Sequence, residues 1–113
     1  MTAAKKLNLV SVEDYLAGEL VSPVKHEYLG GVVYAMAGGT PAHAELSATM
    51  LRLLGNALHG RCRVHTSDLK VRIEATDLST FPDVSLACEE RIFSTIDRMA
   101  LTNPTLVVEV TSK

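Results

Sequence analysis

The stretch FPDVSLAC, residues 81–88, together with LVVEVTSK, residues 106–113, decides the fold of this chain. Both stretches are rich in Val and Leu, and Pro82 lies at the start of the first, so each is predicted to form a buried strand. Each strand carries one carboxylate, Asp83 in the first and Glu109 in the second. A buried carboxylate is unfavourable unless a cation or hydrogen-bond donors compensate it. The pair therefore suggests a cation shared between the two strands.

The chemistry open to such a pair follows from the alternation of side chains along a strand. Asp83 shares a face with Ser85, and Glu109 shares a face with Val107, so in neighbouring strands both carboxylates can point into one cleft. Mg²⁺ commonly takes one or two carboxylates together with water and phosphate. A metal ion held in this way can activate water and stabilise charge on a phosphodiester. By spacing alone, the same pattern also occurs by chance in many α/β domains.

Length and composition narrow the class of protein. The 113 residues predict one domain, and a hydrophobic content of 47% with only 4% aromatic residues indicates an aliphatic core. The formal net charge of −2 argues against a general polyanion binder, although it is compatible with a local basic patch.

The expected compartment follows from what the chain does not carry. No apolar run is long enough for a transmembrane helix, and residues 1–6 lack the features of a signal peptide, so a cytoplasmic protein without membrane association is predicted. In that compartment Cys62 and Cys88 are expected to be reduced, buried thiols.

A short helix and a hairpin are predicted near the start of the chain. Ser11 is expected to cap the helix and Gly18 to end it. Residues 26–36 read as two strands around a Gly-Gly turn, the pattern of a β-hairpin. Glu27 lies beside apolar neighbours in this hairpin. A solvated face of an edge strand is the favoured explanation for it, since carboxylates are mostly exposed.

A longer amphipathic helix is predicted after the hairpin. Thr40 can cap it, Pro41 fits its first position and Gly60 is its expected end. His43 lies in its first turn, where the helix dipole disfavours the imidazolium. A neutral imidazole there either bonds neighbouring backbone or approaches a site, and the structural role is the commoner of the two.

Residues 61–75 predict either a second hairpin or one bent strand. Apolar and charged residues alternate from position 69 to position 74, which is typical of a half-buried strand. Lys70 and Arg72 therefore share a face. Ordinary surface charge is the favoured explanation, and a small phosphate-contacting patch that binds nucleic acid is the alternative.

Together these motifs resemble the Uma2 family, also called DUF820, a branch of the PD-(D/E)XK nuclease-like superfamily. The resemblance runs through residues 26–38, 41–43, the amphipathic helix, residues 81–84 and residues 107–112. It implies an α/β (α+β) fold with a restriction-endonuclease-like core, in which a mixed β-sheet and one long amphipathic helix make a single domain over residues 1–113. It also implies an endonuclease that cuts DNA with Mg²⁺ or Mn²⁺.

The same resemblance assigns roles to individual residues. Asp83 and Glu109 fill the two acidic metal-ligand positions, and the backbone carbonyl of Val110 is the expected third ligand. Glu27 and His43 match further polar positions of the family and are the additional catalytic candidates.

The lysine of the superfamily pattern is where this chain departs from it. That lysine follows the Glu by two residues, and the position is occupied here by Thr111. Uma2 members place a lysine further downstream, and this chain stops where that segment would begin. Lys113 has the same strand parity as Glu109 and is the candidate for the lysine role.

The resemblance thus implies a family fold whose last part is missing, and it leaves the function open. One alternative is an active metal-dependent endonuclease. The other is a catalytically inactive remnant that serves as a self-associating interaction or structural module. A sheet without its last strand exposes an edge, so a homodimer is expected.

Overall fold

Two α-helices, one short 3₁₀ helix (Glu74–Thr76) and eight strands form the part of the chain that the computed structural model describes, residues 8–36 and 38–111. This mixed architecture confirms the predicted fold class. In chain order the elements are α1 (Val12–Val21), β1 (His26–Leu29), β2 (Val32–Ala35), α2 (Pro41–Ala57), β3 (Arg63–Thr66), β4 (Lys70–Ile73), β5 (Leu78–Thr80), β6 (Val84–Ala87), β7 (Ala100–Leu101) and β8 (Leu106–Val108).

The strands divide into two sheets. The larger has the order β2-β1-β5-β4-β7, with β4 and β7 parallel and the other neighbours antiparallel. The smaller has the order β3-β6-β8 and is antiparallel throughout. Because β3 and β4 belong to different sheets, the hairpin or bent strand predicted for residues 61–75 is wrong. A turn at residues 67–68 carries the chain from one sheet to the other.

Both helices begin with the predicted caps. The Asp14 N–H donates to Ser11 Oγ at 3.1 Å, and the His43 N–H donates to Thr40 Oγ1 at 3.2 Å. Pro41 occupies the first turn of α2. Each cap satisfies one of the backbone donors that a helix start leaves unpaired.

The helix ends differ from the prediction. Helix α1 continues past Gly18 and stops at the segment where Ser22 precedes Pro23, because the residue before a proline avoids the helical conformation. Helix α2 is capped by Leu58 rather than by Gly60. Among the described residues, neither helix is long and apolar enough to cross a membrane.

The predicted hairpin is confirmed as β1 and β2. Its two-residue turn uses Gly30 at φ +52° and Gly31 at φ +100°, a backbone region that glycine adopts without steric cost. On its other side β1 pairs with β5, so Glu27 lies on an internal strand of the larger sheet. The explanation of Glu27 as a residue of a solvated edge strand is therefore wrong.

Lys70 and Arg72 belong to a buried ionic network, which corrects the surface location predicted for them. Only 8% of Lys70 and 4% of Arg72 is exposed. Lys70 Nζ donates to Asp97 at 2.7 Å, and Arg72 donates to Asp77 at 2.6 Å and to Ser79 at 3.0 Å. Buried charges need such partners, and these cations are occupied inside the fold. They are therefore not a surface patch for phosphate.

Helix α1 packs on the larger sheet through one aromatic pair. The rings of Tyr15 and Tyr28 stack with their centroids 4.9 Å apart, and both residues are buried. Burial raises the pKa of each phenol.

Helix α2 lies against the smaller sheet with none of its residues fully buried. Met50, Leu54 and Leu58 of the predicted apolar stripe are partly covered, whereas about half of Leu46 and Leu53 remains exposed. Only part of the apolar stripe is therefore covered in the described fold.

Cys62 and Cys88 form a disulfide, so the prediction of two reduced, buried thiols is wrong. The register between β3 and β6 sets the two residues opposite each other. The Cys62 amide donates to Leu58 and the Cys88 amide donates to Thr105, so neither bonds across this pair. Such non-hydrogen-bonded positions bring facing side chains closest together.

Candidate functional site

Asp83 and Glu109 lie next to each other, Asp83 just before β6 and Glu109 just after β8. Strands β6 and β8 pair with Val84 opposite Val108. One further step of this antiparallel register sets Asp83 opposite Glu109. The sequence argument required the two carboxylate strands to be neighbours, and in the structure they are.

The Asp83 carboxylate is held by two donors from different segments. Its Oδ2 accepts the Val110 N–H at 2.7 Å and lies 3.1 Å from His43 Nε2. Both the Asp83 and the His43 side chains are mostly buried. Val110 thus contributes its amide to the site, and the metal-ligand role of its carbonyl stays a prediction. A carboxylate held by two donors has a defined orientation.

The residues around the start of α2 position His43 next to Asp83. The Thr40 cap and Pro41 fix the first turn of the helix. The imidazole then packs directly on Gly39, since a Cβ at that position would lie 2.6 Å from Nδ1. Gly39 is a site residue that the sequence analysis missed. The available signal was a glycine directly before the cap of a helix whose first turn carries a histidine.

Glu27 approaches the carboxylates from the larger sheet. Its Oε2 accepts a hydrogen bond from the Thr80 hydroxyl on β5. Partial burial, then Asp83, then Glu27 raise the pKa of Glu109, and His43 opposes them. The site therefore collects three carboxylates and one imidazole within electrostatic range.

A pocket of about 660 Å³ opens beside the contact between His43 and Asp83. It lies between the start of α2, the segment before β1 and the ends of β3 and β6. Most of its wall is apolar, and its polar residues include Lys25, Ser47 and Ser67. Lys25 is the second residue of this region that the sequence analysis missed.

A hard, oxygen-preferring divalent cation fits the donor set better than zinc does. Within the described ranges, no group of three or more His, Cys, Asp or Glu side chains converges on one point. Structural and catalytic zinc sites need three or four such ligands, whereas Mg²⁺ is held by one or two carboxylates with water and phosphate. Asp83 and Glu109 meet the second requirement. Burial first, and then the neighbouring Asp83 and Glu27 carboxylates, raise the pKa of Glu109.

The remaining predicted site residues do not join this cluster. Lys70 is paired with Asp97 and Arg72 is paired with Asp77, so both cations are engaged outside the carboxylate cluster. Lys113 lies outside the described residues, so its predicted role stays a prediction.

Comparisons with known proteins agree with this architecture. The model of the Uma2 family, described as "Putative restriction endonuclease", matches residues 12–113. Two uncharacterised proteins of Synechocystis sp. are similar. The protein slr1290 is 42% identical over 91% of this chain and 54% of its own length. The protein sll1609 is 29% identical over 99% of this chain and 64% of its own length.

A solved structure shares the fold. It is a crystal structure from Anabaena variabilis, described as "a putative nuclease belonging to DUF820", and it has a TM-score of 0.72 at 19% identity. The match covers 91% of this chain and 59% of that one. The chain therefore spans between about half and two thirds of the length of these three proteins. On the family match over residues 12–113, the chain belongs to the Uma2 family.

Proposed function

We propose that this chain is the site-bearing part of a metal-dependent endonuclease that hydrolyses phosphodiester bonds in DNA. The observation that carries the proposal is the pair Asp83 and Glu109, opposite each other across β6 and β8, with His43 bonded to Asp83. The family description supports the same class of reaction.

In this proposal the two carboxylates hold Mg²⁺ or Mn²⁺, with the Val110 carbonyl as a further ligand. When bound, the ion supplies an activated water and neutralises charge on the phosphate. The role of His43 and of the Val110 amide is to orient Asp83, because both contact its Oδ2. Ligands held in this way lose less freedom when the ion binds.

Glu27 has a supporting electrostatic role. After burial and Asp83, its negative charge is the next contribution that raises the pKa of Glu109. Its hydrogen bond to Thr80 fixes it on the segment that leads to Asp83. Three neighbouring carboxylates attract a cation more strongly than two do.

The test is cleavage of supercoiled plasmid with Mg²⁺ or Mn²⁺. Asp83→Asn and Glu109→Gln remove one charge each without changing the size of the side chain, and each is expected to lower the cleavage rate at least about 100-fold. Glu89→Gln is the matched control, because Glu89 is exposed and lies beyond the opposite end of β6 from Asp83. Cleavage that survives Asp83→Asn at the control rate would overturn the proposal.

A self-associating, non-catalytic module is the second candidate. It is favoured by the exposed apolar residues of α2 and of β8, which is an edge strand of the smaller sheet. In β8, 48% of Leu106 and 43% of Val107 is exposed. A homodimer through β8 would cover this edge. Sedimentation equilibrium over a wide concentration range tests it, and a constant monomer mass would exclude it.

A further inference from the structure

The candidate site carries an excess of negative charge, and a phosphodiester substrate would add to it. Asp83 and Glu109 lie opposite each other in the register of the smaller sheet, and Glu27 bonds to Thr80 on the segment that leads to Asp83. A nucleic acid backbone adds further negative charge, so its phosphates need cationic partners from the protein. The described residues contain two lysines. Lys70 is buried and paired with Asp97, and Lys25 lines the pocket.

Lys25 is fixed beside Asp83 by two contacts. Its Nζ donates to the Ser67 carbonyl at 2.9 Å and lies 4.8 Å from the centroid of the Phe81 ring. Ser67 is the residue that continues the register of β3 opposite Asp83, because Thr66 pairs with Val84. Phe81 lies two residues before Asp83. The ammonium group is thus held at the end of β3 and β6 where the carboxylates lie.

The Lys25 ammonium has hydrogen-bonding capacity to spare. It has three N–H donors, and one is used on Ser67. Asp68 lies 3.6 Å away, outside hydrogen-bonding distance, and 92% of its side chain is exposed, so solvent screens this pair. Since 40% of the Lys25 side chain is exposed at the pocket wall, an anion can reach the remaining donors.

We propose that Lys25 is a substrate-binding residue that contacts a backbone phosphate of the nucleic acid in this pocket. The contact positions the strand against Asp83 and Glu109. The inference rests on the proposed endonuclease function and adds to it a cation from the segment before β1. A wholly structural role, in which Lys25 only links Ser67 to Phe81, is the competing explanation.

The test compares Lys25→Met, Lys25→Arg and Arg98→Met with the wild-type chain of 113 residues. Methionine keeps an apolar stem over Phe81, arginine keeps the charge, and Arg98 is an exposed cation that does not line the pocket. Cleavage of a labelled DNA oligonucleotide with Mg²⁺ gives KM and kcat. Binding with Ca²⁺ in place of Mg²⁺, at several salt concentrations, gives the salt dependence.

Loss of one phosphate contact makes a specific prediction. Lys25→Met is expected to raise KM roughly tenfold, with a smaller change in kcat, and to reduce the slope of log K against log salt by about one. Lys25→Arg is expected to keep most of the affinity. A purely structural lysine would leave the salt slope unchanged.

A second measurement is made on folded wild-type protein, and the Lys25→Arg variant serves only to assign the spectrum. Reductive methylation with ¹³C places a resonance on each lysine, and the signal missing from Lys25→Arg identifies Lys25. That resonance is expected to shift when the oligonucleotide is added. If wild type cuts DNA but neither its Lys25 resonance nor the salt slope of Lys25→Met changes, the inference is overturned and the endonuclease proposal survives. If wild type neither binds nor cuts DNA, both fail.

Discussion

Replacing Gly39 with alanine is expected to displace the imidazole of His43 from Asp83. The ring has Gly39 on its Nδ1 side and Asp83 on its Nε2 side. An added Cβ would lie 2.6 Å from Nδ1 and 3.1 Å from Cγ. Non-bonded atoms of this kind stay about 3.5 Å apart, so the ring must move by about 1 Å.

The ring cannot make this room by sliding toward Asp83. Nε2 is already 3.1 Å from Oδ2, and an advance of that size would bring the two atoms into collision. His43 must therefore rotate to another rotamer, which breaks the hydrogen bond. A hydrogen bond to a charged group contributes about 1.5–3 kcal/mol when buried, and this one is partly exposed, so a loss of about 1–2 kcal/mol in unfolding free energy is expected.

The effect on cleavage should be larger than the effect on stability. A misplacement of about 1 Å in a positioning residue can lower the rate by a factor of about 100. The matched control is Gly38→Ala, since a Cβ at position 38 meets no atom within 4 Å. Cleavage of DNA with Mg²⁺ and urea unfolding, measured on both variants and on wild type, give the two quantities.

A double variant shows whether the effect passes through His43. If it does, Gly39→Ala should cause almost no further loss of cleavage in a His43→Ala background, because the two changes remove the same contact. Equal cleavage rates for Gly38→Ala and Gly39→Ala, with wild type active, would refute the reasoning. Additive losses in the double variant would refute it as well.

Three further predictions concern stability. The disulfide joins Cys62 to Cys88 across a sequence separation of 26, and its reduction should lower the unfolding free energy by about 3–4 kcal/mol in urea titrations. A Cys62→Ala/Cys88→Ala double variant should not respond to reductant. Asp97→Ala should cost about 3–5 kcal/mol because it leaves Lys70 buried without its partner, and Lys70→Met in the same chain should recover much of the loss; an unchanged melting temperature for Asp97→Ala would contradict this. Burial, and then two nearby arginines, lower the pKa of His65, so the folded state favours the neutral ring. The unfolding free energy should therefore be highest above about pH 6.5 and fall as the pH drops below it, and His65→Gln should make this pH dependence shallower.

The elements that local chemistry specifies were predictable from the sequence. The caps Ser11 and Thr40 were correctly identified because a hydroxyl before a helical pattern has one common use. The turn at Gly30 followed from the need for positive φ in a two-residue hairpin. The two carboxylate strands were identifiable because runs rich in Val and Leu favour strands.

Pairings between distant segments were not predictable in the same way. Alternation in β4 shows that Lys70 and Arg72 face differently from Val71, but it does not show which face meets water. Their acidic partners come from residues 77 and 97, and the connection that brings them close is a matter of topology. The disulfide has the same origin, since the register of β3 and β6 decides it.

The candidate site depends on both kinds of information, and Asp83 is where they meet. The sequence placed Asp83 inside a predicted strand, and the structure places it directly before β6. The partners of its Oδ2 come from the first turn of α2 and from the residue after Glu109, 40 and 27 positions away. A carboxylate that ties three segments together in this way stays in place whether or not a cation is bound. That is the property a preorganised metal ligand requires, because binding energy is then not spent on ordering the ligand. The same geometry explains why Gly39 and Lys25 escaped the sequence analysis. Each acts through its distance to a neighbour of Asp83, and neither carries a motif of its own.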